Sequence, residues 1–419
     1  MKNAKGDKAA MKRAYLWNTT GSMINAFQSV FMLMVLTRAC DTATAGVFTL
    51  AYANANLFHF VGYYNMRSFE ASDVIPENGF RAYLNSRVIT SIAMIVGSWS
   101  YLAFSAVSVG YSLDKILAIA IMTVQKCVDV VEDVFDGNFQ QQGRLDVAGF
   151  QLTLRLASTT VLFCVVVACT KSLVAATSIS TIWTALFLAV SLLLIHRKHD
   201  LPAWHPEAVN QKALPLLKAC FAPFLAAFLL YYIGNAPKWA IDAVMSDVDQ
   251  AIYGFIAMPV FVVNLLSRFI YIPLLQPLST MWEEGRIKEF RHVFVRQIGI
   301  IALITATCVG GAAILGVPVL GLLYNTDLTA HRIELCLLVM GGGFLALLNL
   351  FQMGIIVMRR QEQLVLGYVL VAVVVWFCAT PVVSAWGMFG AALLYIVFMV
   401  LLSMWFGTLF WRDMSKGRS

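Results

Sequence analysis

Long apolar runs alternate with short polar stretches along nearly the whole chain of 419 residues. A helix of about 20 apolar residues is long enough to cross the roughly 30 Å hydrocarbon core of a membrane. The pattern therefore predicts an all-α polytopic membrane protein with about twelve transmembrane helices. The predicted helices cover residues 14–37, 45–64, 88–109, 113–132, 149–169, 173–195, 214–234, 250–272, 297–320, 333–357, 363–384 and 387–411.

The composition agrees with this class, because 60% of the residues are hydrophobic and only 13% are charged, against about 25% charged residues in soluble domains. The segments between the predicted helices are short, and the chain contains no G-x-x-x-x-G-K-[ST] phosphate-binding loop. The six histidines lack metal-ligand spacing, and the eight cysteines lie mostly within apolar runs. We therefore expect no enzyme activity, no cofactor, no metal and no nucleic-acid partner.

The distribution of basic residues indicates an orientation in the membrane. If both termini are cytoplasmic, most of the 30 Lys and Arg residues fall in the tails 1–13 and 412–419 and in the inner loops. We predict this orientation and attribute most of the net charge of +7 to it. The predicted outer loops then hold only Arg38, Lys115, Lys171, Lys238 and Arg332.

A short motif occurs twice, at nearly half the chain length apart. Asp41–Gly46 reads DTATAG, and Asp249–Gly254, 208 positions later, reads DQAIYG, so both fit D-x-A-x-x-G. Two further matches, at nearly the same offset, are Asn56 with Asn264 and GFRAYLNSR (79–87) with EFRHVFVRQ (289–297). The order and spacing of these matches predict an internal duplication.

The duplication predicts two six-helix bundles, 14–196 and 214–411, joined by a cytoplasmic linker, 197–213. Six predicted helices separate the two copies, so the bundles are expected to be parallel and related by a pseudo-twofold axis along the membrane normal. In transporters of this plan the substrate path commonly lies between the lobes, and their rocking gives alternating access.

Five ionisable residues occur in KCVDVVEDVFD, Lys126–Asp136, within and beyond the fourth predicted helix. Lys126, Asp129, Asp133 and Asp136 are spaced to share one helix face. A charge near the bilayer centre costs roughly 2.5–3.5 kcal/mol, so Lys126 and Asp129 should neutralise each other, line a polar cavity, or do both. Asp133 and Asp136 lie closer to the cytoplasmic surface, where a solvated helix end is expected. Asp129 and Asp133 are the candidates for a coupling ion.

The deepest ionisable groups are biased toward cations, namely Lys126, Arg155 and Arg268. Such a bias suits an anionic substrate, particularly a phosphate, which arginine binds with two parallel hydrogen bonds. Arg155 is also close enough to the inner surface to extend its guanidinium to the headgroups. Arg38 and Arg67 end the first two predicted helices at opposite surfaces, so each is either an interface anchor or a substrate ligand.

Several stretches resemble the bacterial O-antigen and capsular polysaccharide flippases. These are the Wzx-type branch of the multidrug/oligosaccharidyl-lipid/polysaccharide exporter superfamily. LWNTTGSMINAFQSVFMLMVLTR (16–38), AGVFTLAYANANLF (45–58) and RSFEASDV (67–74) resemble the start of these proteins. Residues 126–149 are similar to their connection between helices 4 and 5, and residues 235–275 to their helices 7 and 8.

The resemblance implies two six-helix bundles in a V around a central cavity, in a bacterial inner membrane. It implies a substrate, a glycan on a polyprenyl pyrophosphate, which alternating access moves from the inner to the outer leaflet. A gradient of H⁺ or Na⁺ would drive the cycle, and a polysaccharide polymerase is a possible partner. Residues matching the family's cavity positions are Lys126, Asp129, Arg155 and Arg268, and Arg38 and Arg67 are added as substrate-binding candidates.

Three alternatives remain open at this level. A cation-coupled multidrug exporter of the same superfamily would be expected to present carboxylates to organic cations, whereas the deep charge here is mainly positive. A membrane glycan polymerase or glycosyltransferase commonly carries a large extramembrane region, which the predicted topology lacks. Other two-lobe transporters, including the major facilitator type, share the general plan.

Overall fold

The computed structural model describes residues 2–72, 78–198, 212–360 and 362–416. The regular elements in these ranges are helices. They are α1 (Lys2–Ala39), α2 (Thr42–Tyr63), α3 (Met66–Ser72), α4 (Phe80–Ser105), α5 (Leu113–Gln141), α6 (Leu145–Thr170), α7 (Leu173–Lys198), α8 (Ala213–Val244), α9 (Asp247–Tyr271), α10 (Leu275–Glu283), α11 (Ile287–Gly311), α12 (Val317–Tyr324), α13 (Arg332–Val357) and α14 (Glu362–Lys416).

Within these ranges, nine helical stretches are long and apolar enough to cross a membrane. One of them, 362–415, contains the non-helical residue Gly387 at φ 54 and so includes the last two predicted helices. The predicted helices 45–64 and 113–132 correspond to α2 and α5, which are more polar. The prediction of an all-α multi-pass membrane protein is therefore confirmed.

Several helices extend beyond the predicted membrane-spanning segments. α4 begins at Phe80 rather than at residue 88, α5 continues to Gln141, and α8 continues to Val244. Each extension carries charged residues, which a hydropathy pattern excludes although a helix can continue through them. Lys238, predicted in an outer loop, consequently lies inside α8.

The chain divides into two compact units, Met1–Phe224 and Leu225–Ser419. The division falls inside α8. Most of the predicted linker, residues 199–211, lies outside the described residues, so the predicted bundle boundaries and the axis between the bundles stay predictions.

In the first unit, α1 and α6 pack with their backbones in close approach. A Cβ on Gly149 would lie 2.8 Å from the backbone nitrogen of Asn18 and 3.0 Å from the carbonyl carbon of Trp17. Thr153 Oγ1 donates a hydrogen bond of 3.0 Å to the Trp17 carbonyl oxygen across the same contact. Small residues commonly permit such close helix pairs in membrane proteins.

In the second unit, α13 packs against α9, α11 and α14. Phenylalanine side chains fill the contact at one end, where the rings of Phe294 and Phe410 stack at 4.1 Å. Gly354 lies against both rings. A polar contact also links α9 and α13, where the Asn349 amide donates to Asn264 Oδ1 at 3.0 Å.

Both copies of the repeated motif begin a helix. Asp41 is the N-cap of α2 and accepts a hydrogen bond of 2.6 Å from the Thr44 backbone. Asp249 instead forms a capping box with Ser246 at the start of α9. Both aspartates accept a hydrogen bond from a backbone N–H group at a helix N-terminus, but Asp41 does so from the N-cap position and Asp249 from the third helical position. The duplication itself stays a prediction.

The substitution Gly149→Ala tests the α1–α6 contact. The added methyl group meets backbone atoms that cannot rotate away, so we expect the free energy of unfolding to fall by about 1–3 kcal/mol. Gly299→Ala in α11 is the control, because no atom lies within 4 Å of its Cβ position, and helix propensity alone should add up to about 1 kcal/mol. Thermal unfolding in detergent measures both, and equal stability of the two variants would contradict the close approach.

Candidate functional site

Four charged side chains form one ion-pair cluster between α5 and α6, here called the α5–α6 network: Lys126, Asp129 and Glu132 from α5 and Arg155 from α6. Lys126 Nζ lies 2.9 Å from Asp129 Oδ2, and Arg155 Nη1 lies 2.6 Å from Asp129 Oδ1. Arg155 Nε donates to Glu132 Oε2 at 2.7 Å, and its Nη2 pairs with the same carboxylate. Asp129 therefore bridges both cations.

The network is largely buried. The side chains of Arg155 and Glu132 are each 2% exposed, and those of Lys126 and Asp129 are 10% and 14% exposed. The free-energy cost of moving charges out of water is compensated only where each charge meets an opposite charge and further hydrogen bonds. Two cations and two carboxylates meet that condition here.

Two neutral residues complete the surroundings of the network. Gln151 Nε2 donates to Glu132 Oε1 at 3.4 Å. Lys126 Nζ lies 5.4 Å from the centre of the Tyr52 ring, a cation–π distance. The Gln151 Oε1 atom is buried and has no hydrogen-bond partner within the described part of the chain.

One of the two arrangements expected for Lys126 and Asp129 is observed, and the predicted substrate and ion roles of these residues stay predictions. The suggested neutralisation of Lys126 by Asp129 is observed, but Arg155 joins it, so the alternative of Arg155 extending to the headgroups is wrong. Glu132, the fifth ionisable residue of KCVDVVEDVFD, does not share the helix face of the other four and still belongs to the network. Its partner lies on another helix, and periodicity along α5 carries no information about that contact.

A second cluster, here called the α3–α5 network, joins three helices: Arg67 and Glu70 from α3, Arg87 from α4, and Asp133 and Asp136 from α5. Arg87 Nη2 lies 2.6 Å from Asp133 Oδ2. Arg67 Nη1 lies 3.5 Å from Asp133 Oδ1 and 3.6 Å from Asp136 Oδ2. With all groups ionised this network would contain two cations and three carboxylates.

Asp133 and Asp136 are not at a solvated helix end, so that expectation is wrong. Their side chains are 5% and 2% exposed, because α3 and α4 cover this part of α5 with their arginines. Arg67 correspondingly belongs to an ion-pair network, and its predicted roles as an interface anchor or a substrate ligand stay untested.

Arg87 has a structural task that the sequence analysis did not assign. Its Nη1 donates to the carbonyl oxygens of Gly62 and Tyr63 at 2.7 and 2.8 Å. These carbonyls end α2, where they lack partners within the helix, and a cation there also complements the helix dipole. One buried guanidinium thus ties the end of α2 to Asp133 of α5.

Glu70 is the unbalanced acid of the α3–α5 network. It lies in the short helix α3, outside the membrane-spanning helices, and is 2% exposed. Its carboxylate packs on Gly137, and its Oε1 atom has no hydrogen-bond partner in the described ranges. Burial and the charge of Asp133 raise the pKa of Glu70 to about 8, against the opposite effects of Arg87 and Arg67. Protonation of Glu70 would balance the charges of this network.

The remaining predicted site residues lie elsewhere. Arg38 is exposed at the end of α1, where either of its predicted roles stays possible. Arg268 is exposed on α9 in the second unit, and its predicted role beside Lys126 stays a prediction. No group of three or more His, Cys, Asp and Glu side chains in the described residues is arranged to hold a metal ion.

We expect Arg87→Ala to lower the free energy of unfolding by about 3–5 kcal/mol, because it leaves Asp133 as a buried, less compensated charge. Adding Asp133→Asn should recover part of that loss. Lys218→Ala, at an exposed position of α8, is the control and should change stability by less than about 0.5 kcal/mol. Denaturant or thermal unfolding of the purified protein measures all three, and an Arg87→Ala variant as stable as the control would exclude this role.

The raised pKa of Glu70 predicts a pH dependence of stability. The stability that protonated Glu70 contributes to the folded protein is fully present below the ordinary pKa of 4.5 and is lost as the pH rises through about 8. At pH 9 we expect Glu70→Gln to be more stable than the unmodified protein by a few kcal/mol, since each pKa unit corresponds to about 1.4 kcal/mol. At pH 5 the two should be nearly equal. Melting temperatures between pH 5 and 9 test this, with exposed Glu362→Gln as the control, and identical profiles for the Glu70 variant and the unmodified protein would contradict it.

Comparison with known proteins gives the fold. Neither a protein-family model nor a curated relative matches the chain. An inward-facing multidrug resistance MATE family transporter of the MOP superfamily matches with a TM-score of 0.71 and 13% identity over 95% of each chain. The Vibrio cholerae MATE transporter VcmN in its bent form matches at 0.59, with 10% identity over 98% of each chain.

A MOP superfamily transporter from Pyrococcus furiosus, described as having a binding pocket of reverse polarity, matches at a TM-score of 0.52. Its identity is 11%, over 98% of this chain and 96% of that one. At identities this low, the structural matches show the fold alone. The chain has the fold of MATE family transporters of the MOP superfamily.

Proposed function

We propose that the protein moves a polyprenyl-pyrophosphate-linked oligosaccharide from the inner to the outer leaflet of a bacterial inner membrane by alternating access. The fold supports a transporter, and the pattern of paired and unpaired charges supports an anionic substrate. Asp129 and Glu132, the deep carboxylates of the first unit, are both held by basic groups. Lys238 and Arg268 have no ion-pair or hydrogen-bond partner in the part of the chain that the structure describes.

The unpaired cations are the observation that carries this proposal. Lys238 lies about 9 Å from the end of α8 at 1.5 Å per residue, within a membrane-spanning helix. A cation inside a membrane helix is costly unless it meets an anion or water. An anionic substrate would supply that partner, whereas an organic cation would meet carboxylates that are already engaged. The likeness to a transporter described as having a reversed pocket polarity is consistent with different charge patterns on this fold.

The α5–α6 network suggests how substrate binding and an ion gradient would be coupled. A pyrophosphate that takes Lys126 or Arg155 as its partner must displace Asp129, because one carboxylate bridges both cations. A buried carboxylate without its cation is strongly destabilising, so Asp129 would then take up H⁺ or Na⁺. Exchange of the two partners would link the substrate to the ion, with Asp133 a further candidate for ion binding. A polymerase that consumes the moved glycan is a natural partner.

A multidrug exporter is the second candidate, because the inward-facing structural neighbour is a multidrug resistance transporter. In that case an organic cation would replace Lys126 or Arg155 at Asp129. The two proposals therefore predict opposite charges for the transported molecule, and one assay can separate them.

We expect Lys126→Ala to slow transbilayer movement of a fluorescent polyprenyl-pyrophosphate oligosaccharide in proteoliposomes by about tenfold to a hundredfold. The loss of one hydrogen bond to a charged group is worth about 1.5–3 kcal/mol. Lys126→Arg should retain most of the activity, and Lys288→Ala, at an exposed position of α11, should retain all of it.

The same vesicles are tested with a fluorescent organic cation under an imposed H⁺ or Na⁺ gradient. Movement of the glycan lipid at an unchanged rate in Lys126→Ala would exclude the proposed role of this lysine. Accumulation of the organic cation, with no movement of the glycan lipid, would establish the exporter instead.

A further inference from the structure

A groove of about 1450 Å³ opens between α1, α6 and α7 of the first unit. Its wall is mainly apolar, with Trp17 on α1, Phe150 and Leu154 on α6, and Trp183 and Leu186 on α7. Arg13 and Arg144 lie among its polar residues. The groove does not contain any of the substrate-binding residues predicted from the sequence.

The apolar wall belongs to the lipid-facing surface of the helices. Leu186 is 57% exposed, and large apolar side chains on an exposed face of a membrane helix meet hydrocarbon chains. The aromatic residues have fixed positions: the Trp17 and Phe150 rings meet edge to face at 4.9 Å, and Trp183 Nε1 donates to Ser158 Oγ at 2.9 Å. The groove is thus a preformed apolar channel that lipid can enter from the side.

The basic residues lie at one end of the helices that form the groove. Arg144 immediately precedes α6, and Arg13 is in the part of α1 before the apolar run. Arg144 Nε lies 3.1 Å from Asp146 Oδ1, and its side chain is 42% exposed. A guanidinium has five donors in a fork that matches phosphate oxygens, so this pairing leaves donors of Arg144 available. In the predicted orientation this end faces the cytoplasmic leaflet.

Gln151 connects the groove to the α5–α6 network. It lines the groove, is 3% exposed, and donates to Glu132, the carboxylate paired with Arg155. Its Oε1 atom is buried without a partner in the described residues. Since Gln151 and Arg155 are one turn apart on α6, a ligand in the groove lies one side chain away from the buried charges.

We infer that this groove binds the lipid part of the transported substrate before it crosses the membrane. Arg13 and Arg144 bind the pyrophosphate, and the isoprenoid tail lies along Trp17, Leu154 and Leu186. This inference rests on the proposed function. An apolar channel that is open to the membrane along its length and carries cations at one end is complementary to a lipid with an anionic headgroup and a long tail.

Photolabelling of the full-length protein tests the groove without requiring transport. The protein is placed in phosphatidylcholine vesicles with a photoreactive polyprenyl pyrophosphate that carries no sugar, and labelled peptides are identified by mass spectrometry. We expect labels on α1, α6 and α7. Arg13→Ala/Arg144→Ala should reduce labelling at least tenfold, whereas the exposed double variant Arg286→Ala/Lys288→Ala should leave it unchanged.

A second pair of variants tests the apolar wall. Val190 lines the groove, and Leu193 is an exposed residue of the same helix that does not. Val190→Trp fills part of the groove and should reduce labelling at least fivefold, while Leu193→Trp should retain it. Both positions face lipid, so a general effect of an added tryptophan would change the two variants alike and would contradict the groove.

The outcomes separate this inference from the proposed function. Labelling that avoids α1, α6 and α7, or that an equal amount of phosphatidylglycerol displaces fully, overturns the groove as a substrate site. Unchanged movement of the glycan lipid in Val190→Trp and Arg13→Ala/Arg144→Ala also overturns it but leaves the flippase proposal intact. Specific labelling of the groove in a protein that moves no glycan lipid removes the proposed function, and it leaves the groove as a polyprenyl-pyrophosphate site without a role in transport.

Discussion

A charge inside a membrane protein is costly unless it meets an opposite charge or water, and in the first unit this constraint determines how α5 is held. Three arginines on three different helices converge on its carboxylates: Arg67 from α3, Arg87 from α4 and Arg155 from α6. Each of these buried charges would strongly destabilise the folded protein if its partner were removed. The acidic stripe of α5 is therefore the common element to which the neighbouring polar helices are attached, and α2 is included because Arg87 also binds its last carbonyl groups.

The same pairing permits a transmissible change. Asp129 is shared by Lys126 and Arg155, and Glu132 is shared by Arg155 and Gln151. A new partner for any one of these groups alters the hydrogen bonds available to the next. Coupling between sites needs an element with two arrangements that both sites influence. In the proposed cycle that element is Asp129, which pairs either with its two cations or with the coupling ion. Gln151, which donates to Glu132 and lines the groove, would carry the change to the groove wall.

The sequence predicted the helices well and the contacts between them poorly. Apolar runs located the membrane helices, and the cost of a charge in the bilayer correctly indicated that Lys126 and Asp129 do not face lipid. The solvated helix end expected for Asp133 and Asp136 was wrong. Hydropathy placed helix boundaries at the first charged residues, so that α4 was predicted to begin after Arg87 and α8 to end before Lys238. The partners of Glu132 and Asp133 could not be predicted, because Arg155 and Arg87 are 23 and 46 positions away along the chain and meet them only through tertiary packing.

The two units use their buried space differently. In the first unit, polar helices meet through ion pairs, whereas in the second unit α13 is held by phenylalanine rings against glycine and by a contact between two asparagines. If the chain arose by duplication, helices of common origin now pack differently, through ion pairs in the first unit and through mainly apolar contacts in the second. An apolar core keeps its packing when a proton or an anion binds, but a buried charge network does not. Ligand-dependent change is therefore expected to begin in the first unit.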